Sequence, residues 1–203
     1  MANDFEARGR HVRLPAEVRA DDDGITVEGY AAVFDEEADI GGHFREKIER
    51  GAFKDAIGRD DVVFLINHDG LPLARTRSGT LTLEEDDHGL KIRTVLDPSD
   101  PDVARIQGKM KRGDLDKMSF AFWVDEGGQR WSDEDVPLRT ITKARLHDVS
   151  IVTTPAYDGT EIGLRSMEAA RKETKQQNFS AARLRLRMKR DLALRENGNG
   201  NRA

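Results

Sequence analysis

The chain contains no cysteine, which excludes disulfides, cysteine-ligated zinc and a thiol nucleophile and fits a reducing compartment. It has no apolar run near the ~18 residues that a membrane-spanning helix needs. Its first residues, MANDFEARGR, lack the apolar stretch of a secretory signal. Several motifs are missing as well: a phosphate-cradling Gly-Lys-Ser/Thr loop, His-Glu-x-x-His, the Rossmann glycine fingerprint and a Gly-x-Ser-x-Gly elbow. No internal repeat is visible.

What is present is a chain of 203 residues, 37% hydrophobic and 35% charged, enough for one domain with a modest core and a heavily charged surface. The charge is uneven. From Arg165 onward there are 11 Lys/Arg against 4 Asp/Glu, net +7, which leaves 22 basic and 34 acidic groups, net −12, on the first 164 residues. A basic tail on an acidic body implies two segments with different tasks.

Residues 1–24 are polar and end in the run Asp21-Asp22-Asp23. Ile25, Val27 and Tyr30–Phe34 then predict a strand pair or one bent strand. Phe44, Ile48 and Phe53 punctuate a mixed loop and short helix. Val62–Ile66 is a continuous apolar run of buried-strand length, halted by the polar turn Asn67-His68-Asp69-Gly70. Leu81 and Leu83, and Leu90 and Ile92, alternate on either side of a turn-rich link and predict a hairpin. Ser99-Asp100-Pro101 is a helix start, Val103, Ile106 and Met110 keep helical spacing, and Gly113 ends the helix. Met118–Val124 alternates as a strand, with Phe120, Phe122 and Val124 on one face and Ser119, Ala121 and Trp123 on the other. Arg139–Val152 supplies one or two final strands, and Pro155 closes the body. The pattern is mainly β with flanking helices (α+β), a curled sheet or barrel. From about Ser166 the residues are good helix formers, with Leu184, Met188 and Leu192 at i, i+4, i+8 among arginines. Such a helix suits an acidic partner, a membrane or nucleic acid, and equally a solvated or oligomer-packing role.

The candidate chemistry rests on few residues. Of the five histidines, His11 and His43 lie in polar surroundings and His88 in the hairpin link. His68 directly follows a buried strand, so a rigid element would hold it at a sheet rim; a turn or capping role is the plainer alternative. Ser119 stands where a strand favours Val, Ile or Thr, and with Ala121 it forms a small-residue floor. It suits a nucleophile, or merely a small residue beneath a packed helix. A nucleophilic serine needs a base in hydrogen-bond reach and the base an orienting partner. His147-Asp148 offers both residue types for that third place.

Taken together, these stretches resemble the prohead maturation proteases of tailed bacteriophages, which are distantly similar to the herpesvirus assemblin proteases. The matching segments are Glu28–Phe34, Arg50–Phe53, Leu65–Asp69, Gly79–Leu81, Lys111–Leu115, Met118–Phe122 and Leu146–Ala156, in family order across residues 25–165. The resemblance implies a serine endopeptidase with Ser119 as nucleophile, His68 as general base and no metal or cofactor. It implies a herpesvirus-protease-like β core over residues 25–165, while composition and charge set off the polar segment 1–24 and the basic helical tail 166–203, expected to be mobile or self-cleaved. Partners would be the major capsid protein, its scaffolding region and the chain itself, through autocleavage or a homo-oligomer, with no membrane and no specific nucleic acid. The setting would be the assembling procapsid in the host cytoplasm. The third catalytic member is Asp148, where the phage family commonly has glutamate, with His147 as the alternative, since the herpesvirus enzymes use a second histidine. Thr153-Thr154-Pro155 stands where the herpesvirus relatives carry arginines near the oxyanion site. Two other readings compete: a catalytically silent structural or scaffolding protein on the same fold, and a metal-dependent hydrolase using His68, Asp69, His88 and Asp148.

Overall fold

The computed structural model describes residues 6–9, 17–21 and 24–153, with helical positions at intervals from 172 to 188. The chain divides into two units, Met1–Gly163 and Leu164–Ala203. In the second, the described positions are helical and exposed, Phe179, Leu184 and Met188 among them.

Among the described residues the first unit is mainly β with two helices. Its strands, numbered in chain order, form three sheets. The first contains β1 (Glu6–Gly9), β10 (Lys117–Trp123), β13 (Arg145–Val152), β6 (Val63–Ile66) and β7 (Asp69–Arg75), in that order across the sheet. The second runs β11 (Gln129–Trp131), β12 (Leu138–Ile141), β5 (Phe44–Ile48), β4 (Ala38–Ile40). The third runs β2 (Glu17–Asp21), β3 (Gly24–Val33), β9 (Gly89–Leu96), β8 (Leu81–Glu85). Among the described residues no sheet closes on itself, so three open sheets stand where the patterning suggested one curled sheet or barrel. The polar lead at the N-terminus also holds two strands: β1 pairs with β10, and β2 with β3.

The core follows from the alternation. Leu83 of β8 pairs with Ile92 of β9, and Leu81 and Leu90 lie with them in one buried cluster. Helix α2 (Pro101–Arg112) starts with the Asp100 carboxylate accepting from Asp102 N at 2.8 Å and ends at Gly113, which takes φ 78°. Its Val103, Ile106 and Met110 join the same cluster. Phe53, at the start of α1 (Lys54–Arg59), stands edge-on to Phe120 at 5.5 Å, and Phe120 stacks on Phe122 at 5.1 Å. That aromatic row holds one face of β10 to the core and commits the other face to Ser119 and Ala121.

Strand β5 departs from the sequence pattern, which placed a loop and short helix there. Phe44, Glu46 and Ile48 are its buried side, so a charged residue occupies the middle inward position. Its partner is Arg139 of β12, 1% exposed, whose Nη1 donates to Glu46 Oε2 at 2.8 Å and whose Nε donates to Gln129 Oε1 at 2.6 Å. The guanidinium also lies 5.8 Å from the centre of the Trp131 ring. An alternating strand is disguised when its central apolar position is filled by half of a buried ion pair.

Removing one member of such a pair takes away the counter-charge that offsets the other's burial. Arg139→Met is expected to cost about 3–5 kcal/mol in denaturant unfolding, and the double variant Arg139→Met/Glu46→Leu to cost clearly less. A single variant as stable as the parent would show that the pair is solvated rather than buried.

Candidate active site

The site is built where β10, β13 and β6 lie side by side, β13 antiparallel to β10 and parallel to β6. Ser119 of β10 pairs with Ser150 of β13, and Ser150 pairs in turn with Leu65 of β6. β6 ends at Ile66, which pairs with Asp69 of β7, so Asn67 and His68 are the two central residues of a tight hairpin. Both have positive φ, 52° and 59°, as the turn that suits two-residue hairpins requires. Asn tolerates this conformation well, whereas glycine is the usual second residue. A histidine there costs on the order of 1–2 kcal/mol. Asn67 anchors the turn: its N–H donates to Ile151 O at 2.9 Å, and its Oδ1 accepts from Thr153 N at 3.0 Å.

One irregularity orients the third side chain. Ala121 pairs with Asp148 but Phe122 pairs with Leu146, so His147 is an extra residue, a β-bulge in β13. Plain alternation would put Leu146 and Asp148 on one face. The bulge lets Leu146, Val149 and Ile151 all enter the core, while Asp148 and Ser150 face the side of Ser119. Val152, buried yet outside the core cluster, belongs to that second side as well.

The result is a continuous chain of hydrogen bonds. His68 Nε2 lies 2.6 Å from Ser119 Oγ, and His68 Nδ1 lies 2.6 Å from Asp148 Oδ1. Because an ionised carboxylate only accepts, Nδ1 carries the proton toward Asp148, and Nε2 is left with a lone pair for the Ser119 hydroxyl. Ser119 and Asp148 are buried, and the imidazole is the partly open member at 12% exposure. All of Asp148's hydrogen bonding falls on Oδ1, which also accepts from Ser150 Oγ at 2.7 Å; Oδ2 is buried without a partner. Ser150 is the member that sequence reasoning passed over. Its signal was there: it lies two residues from Asp148 on the same strand, hence on the same side.

The other candidates lie elsewhere. His147, at the bulge, stands edge-on to the Trp123 ring at 4.9 Å. His88 meets the ring of Tyr30 at 4.6 Å, in a turn organised by Asp86. His43 lies in the exposed turn between β4 and β5, and His11 is outside the described residues. Asp69 begins β7 and is exposed. No group of three or more His, Asp and Glu side chains is arranged to hold a metal ion among the described residues. The set His68, Asp69, His88 and Asp148 therefore does not form a ligand cluster.

Residues 14–174 match the caudovirus prohead serine protease family. The chain belongs to that family. It is 30% identical over 151 residues to the prohead protease of Enterobacteria phage HK97, an alignment covering 70% of this chain and 60% of the relative. The match thus spans less than two thirds of that relative's length. Among solved structures it is similar to the capsid assembly protease of bacteriophage T4, with TM-score 0.48, 10% identity and coverage of 74% of this chain and 96% of the other.

The turn geometry can be tested apart from any activity. His68→Gly and His68→Ala both remove the imidazole, but only glycine relieves the positive φ, so the glycine variant should be the more stable by about 1 kcal/mol. Equal unfolding midpoints for the two would show that the turn holds no such strain.

Proposed function

We propose that this chain is a serine endopeptidase acting through Ser119, His68 and Asp148. The observation that carries the reading is the unbroken hydrogen-bonded series Ser119 Oγ–His68 Nε2 and His68 Nδ1–Asp148 Oδ1, at 2.6 Å in both links. In the reaction Ser119 Oγ attacks the scissile carbonyl carbon as its proton passes to His68 Nε2. Asp148 holds the imidazole in the reactive tautomer and stabilises the imidazolium that forms. The tetrahedral intermediate collapses to an acyl-enzyme when His68 returns the proton to the leaving amine. Water, deprotonated by the same nitrogen, then releases the acid and restores the serine. Between the two candidates for the third place, the short bond to His68 Nδ1 favours Asp148 over His147.

Family membership supports the biological setting: cleavage of the scaffolding region of the major capsid protein, and of the chain itself, inside the assembling procapsid in the host cytoplasm. The basic segment 166–203 would then be a packaging or docking element, or one removed by self-cleavage, consistent with exposed apolar and basic side chains at its described positions.

A fluorophosphonate probe should label Ser119, and Ser119→Ala should abolish both labelling and cleavage of a co-expressed capsid protein, with a fall on the order of 10⁴ or more. Asp148→Asn should lower the labelling rate by up to ~10⁴, whereas His147→Gln should change it only a few-fold. A folded Ser119→Ala protein that still generates new capsid-protein termini by mass spectrometry would end the serine-peptidase reading. The reverse ranking at 147 and 148 would transfer the third place to the histidine. Truncation at Ser166 should leave probe labelling intact while reducing the protease copies recovered in proheads. A truncated body that fails to fold would make the tail part of the core instead.

A further inference from the structure

Ser150 occupies a position where a buried strand favours Val, Ile or Thr, flanked by Val149 and Ile151. Its side chain is fully buried, so its hydroxyl must find partners within the protein. A serine hydroxyl has one proton to give and two lone pairs. The proton goes to Asp148 Oδ1 at 2.7 Å, and Oγ accepts from the backbone N–H of His68 at 3.3 Å. The same oxygen lies 3.2 Å from His68 Nδ1. One atom therefore touches the carboxylate, the imidazole and the backbone that carries the imidazole.

Two consequences follow from that placement. Asp148 is buried and its Oδ2 has no partner, so the charge depends on the two donors that reach Oδ1, and Ser150 is one of them. The second concerns the tautomer. With its proton committed to Asp148, Ser150 Oγ can offer His68 Nδ1 only a lone pair. That matches a protonated Nδ1 and disfavours the form with its proton on Nε2, which would face Ser119 with no lone pair to accept from it.

We propose that Ser150 is a positioning residue of this site: its hydroxyl ties the Asp148 carboxylate to the His68 turn and holds the imidazole proton on Nδ1. The inference rests on the serine-peptidase reading given above.

The test uses the full-length chain and two independent measurements. In the first, Ser150→Ala should slow fluorophosphonate labelling of Ser119 by roughly 10- to 100-fold, the worth of a hydrogen bond to a charged group. Ser150→Thr, which keeps the hydroxyl, should recover most of that loss. In an Asp148→Ala background the same Ser150→Ala change should cost less than about threefold, because the group it acts on is gone. All rates are taken below each variant's unfolding midpoint, so lost stability cannot imitate the effect. In the second, the low-field proton NMR signal of His68 Nδ1–H should move upfield in Ser150→Ala. Equal losses in both backgrounds, or an unchanged signal with labelling within about threefold of the parent, would reduce Ser150 to a filler of the strand. A parent chain unlabelled at Ser119 would count against the peptidase reading alone, and the NMR signal would still decide the place of Ser150.

Discussion

The seating of β13 between β10 and β6 is the constraint from which the site derives. Its backbone hydrogen bonds run to both neighbours, and the register sets Ser119 opposite Ser150 and Ser150 opposite Leu65. Because side chains alternate across a strand, a slip of one residue would send Asp148 into the aromatic core and bring Val149 out in its place. The bulge at His147 makes this seating consistent with burial on both sides of it. Leu146 reaches the core before the extra residue, Val149 and Ile151 after it, and the carboxylate stays on the opposite side. A single inserted residue thus reconciles a hydrophobic strand with a polar site.

Around that frame the protein keeps two unfavourable features, each offset locally. His68 sits in a left-handed conformation better suited to glycine, held there by Asn67's bonds to Ile151 and Thr153 at the end of β13. Asp148 is buried with one oxygen unpartnered, sustained by the donors that converge on the other. In both cases β13 or the residue just after it supplies part of the compensation, with His68 Nδ1 as the second donor to Asp148. Strain and burial are tolerated because they are attached to a central strand rather than to a loop.

Much of this was legible from residue types and spacing. Phe120 and Phe122 against Ser119 and Ala121 declared the two faces of β10, and an apolar run ending at Asn67-His68 placed a histidine at a sheet rim. The capped helix from Pro101 to Arg112 could be read almost residue by residue. Other features were hidden for physical reasons. Leu146 and Val152 contradicted Val149 and Ile151 in parity, because a bulge adds a residue without a compositional mark and because Val152 is buried outside the core cluster. β5 was masked by Glu46, whose burial depends on an arginine far along the chain. β1 and β2 lie in a polar segment and gain their order from backbone pairing with partner strands. Long-range pairing of this kind leaves no local trace.

The order of strands in the first sheet also has a temporal meaning. β6 with His68 and β10 with Ser119 are both synthesised before β13, the last strand in the chain among the described residues. Nothing in the sheet joins β6 to β10 except β13, which bonds to each of them. A chain that stops short of Asp148 therefore has Ser119 and His68 on or beside two strands that share no ladder of backbone hydrogen bonds. The hydrogen-bonded series Ser119–His68–Asp148 can be completed only once the strand that carries Asp148 has been made.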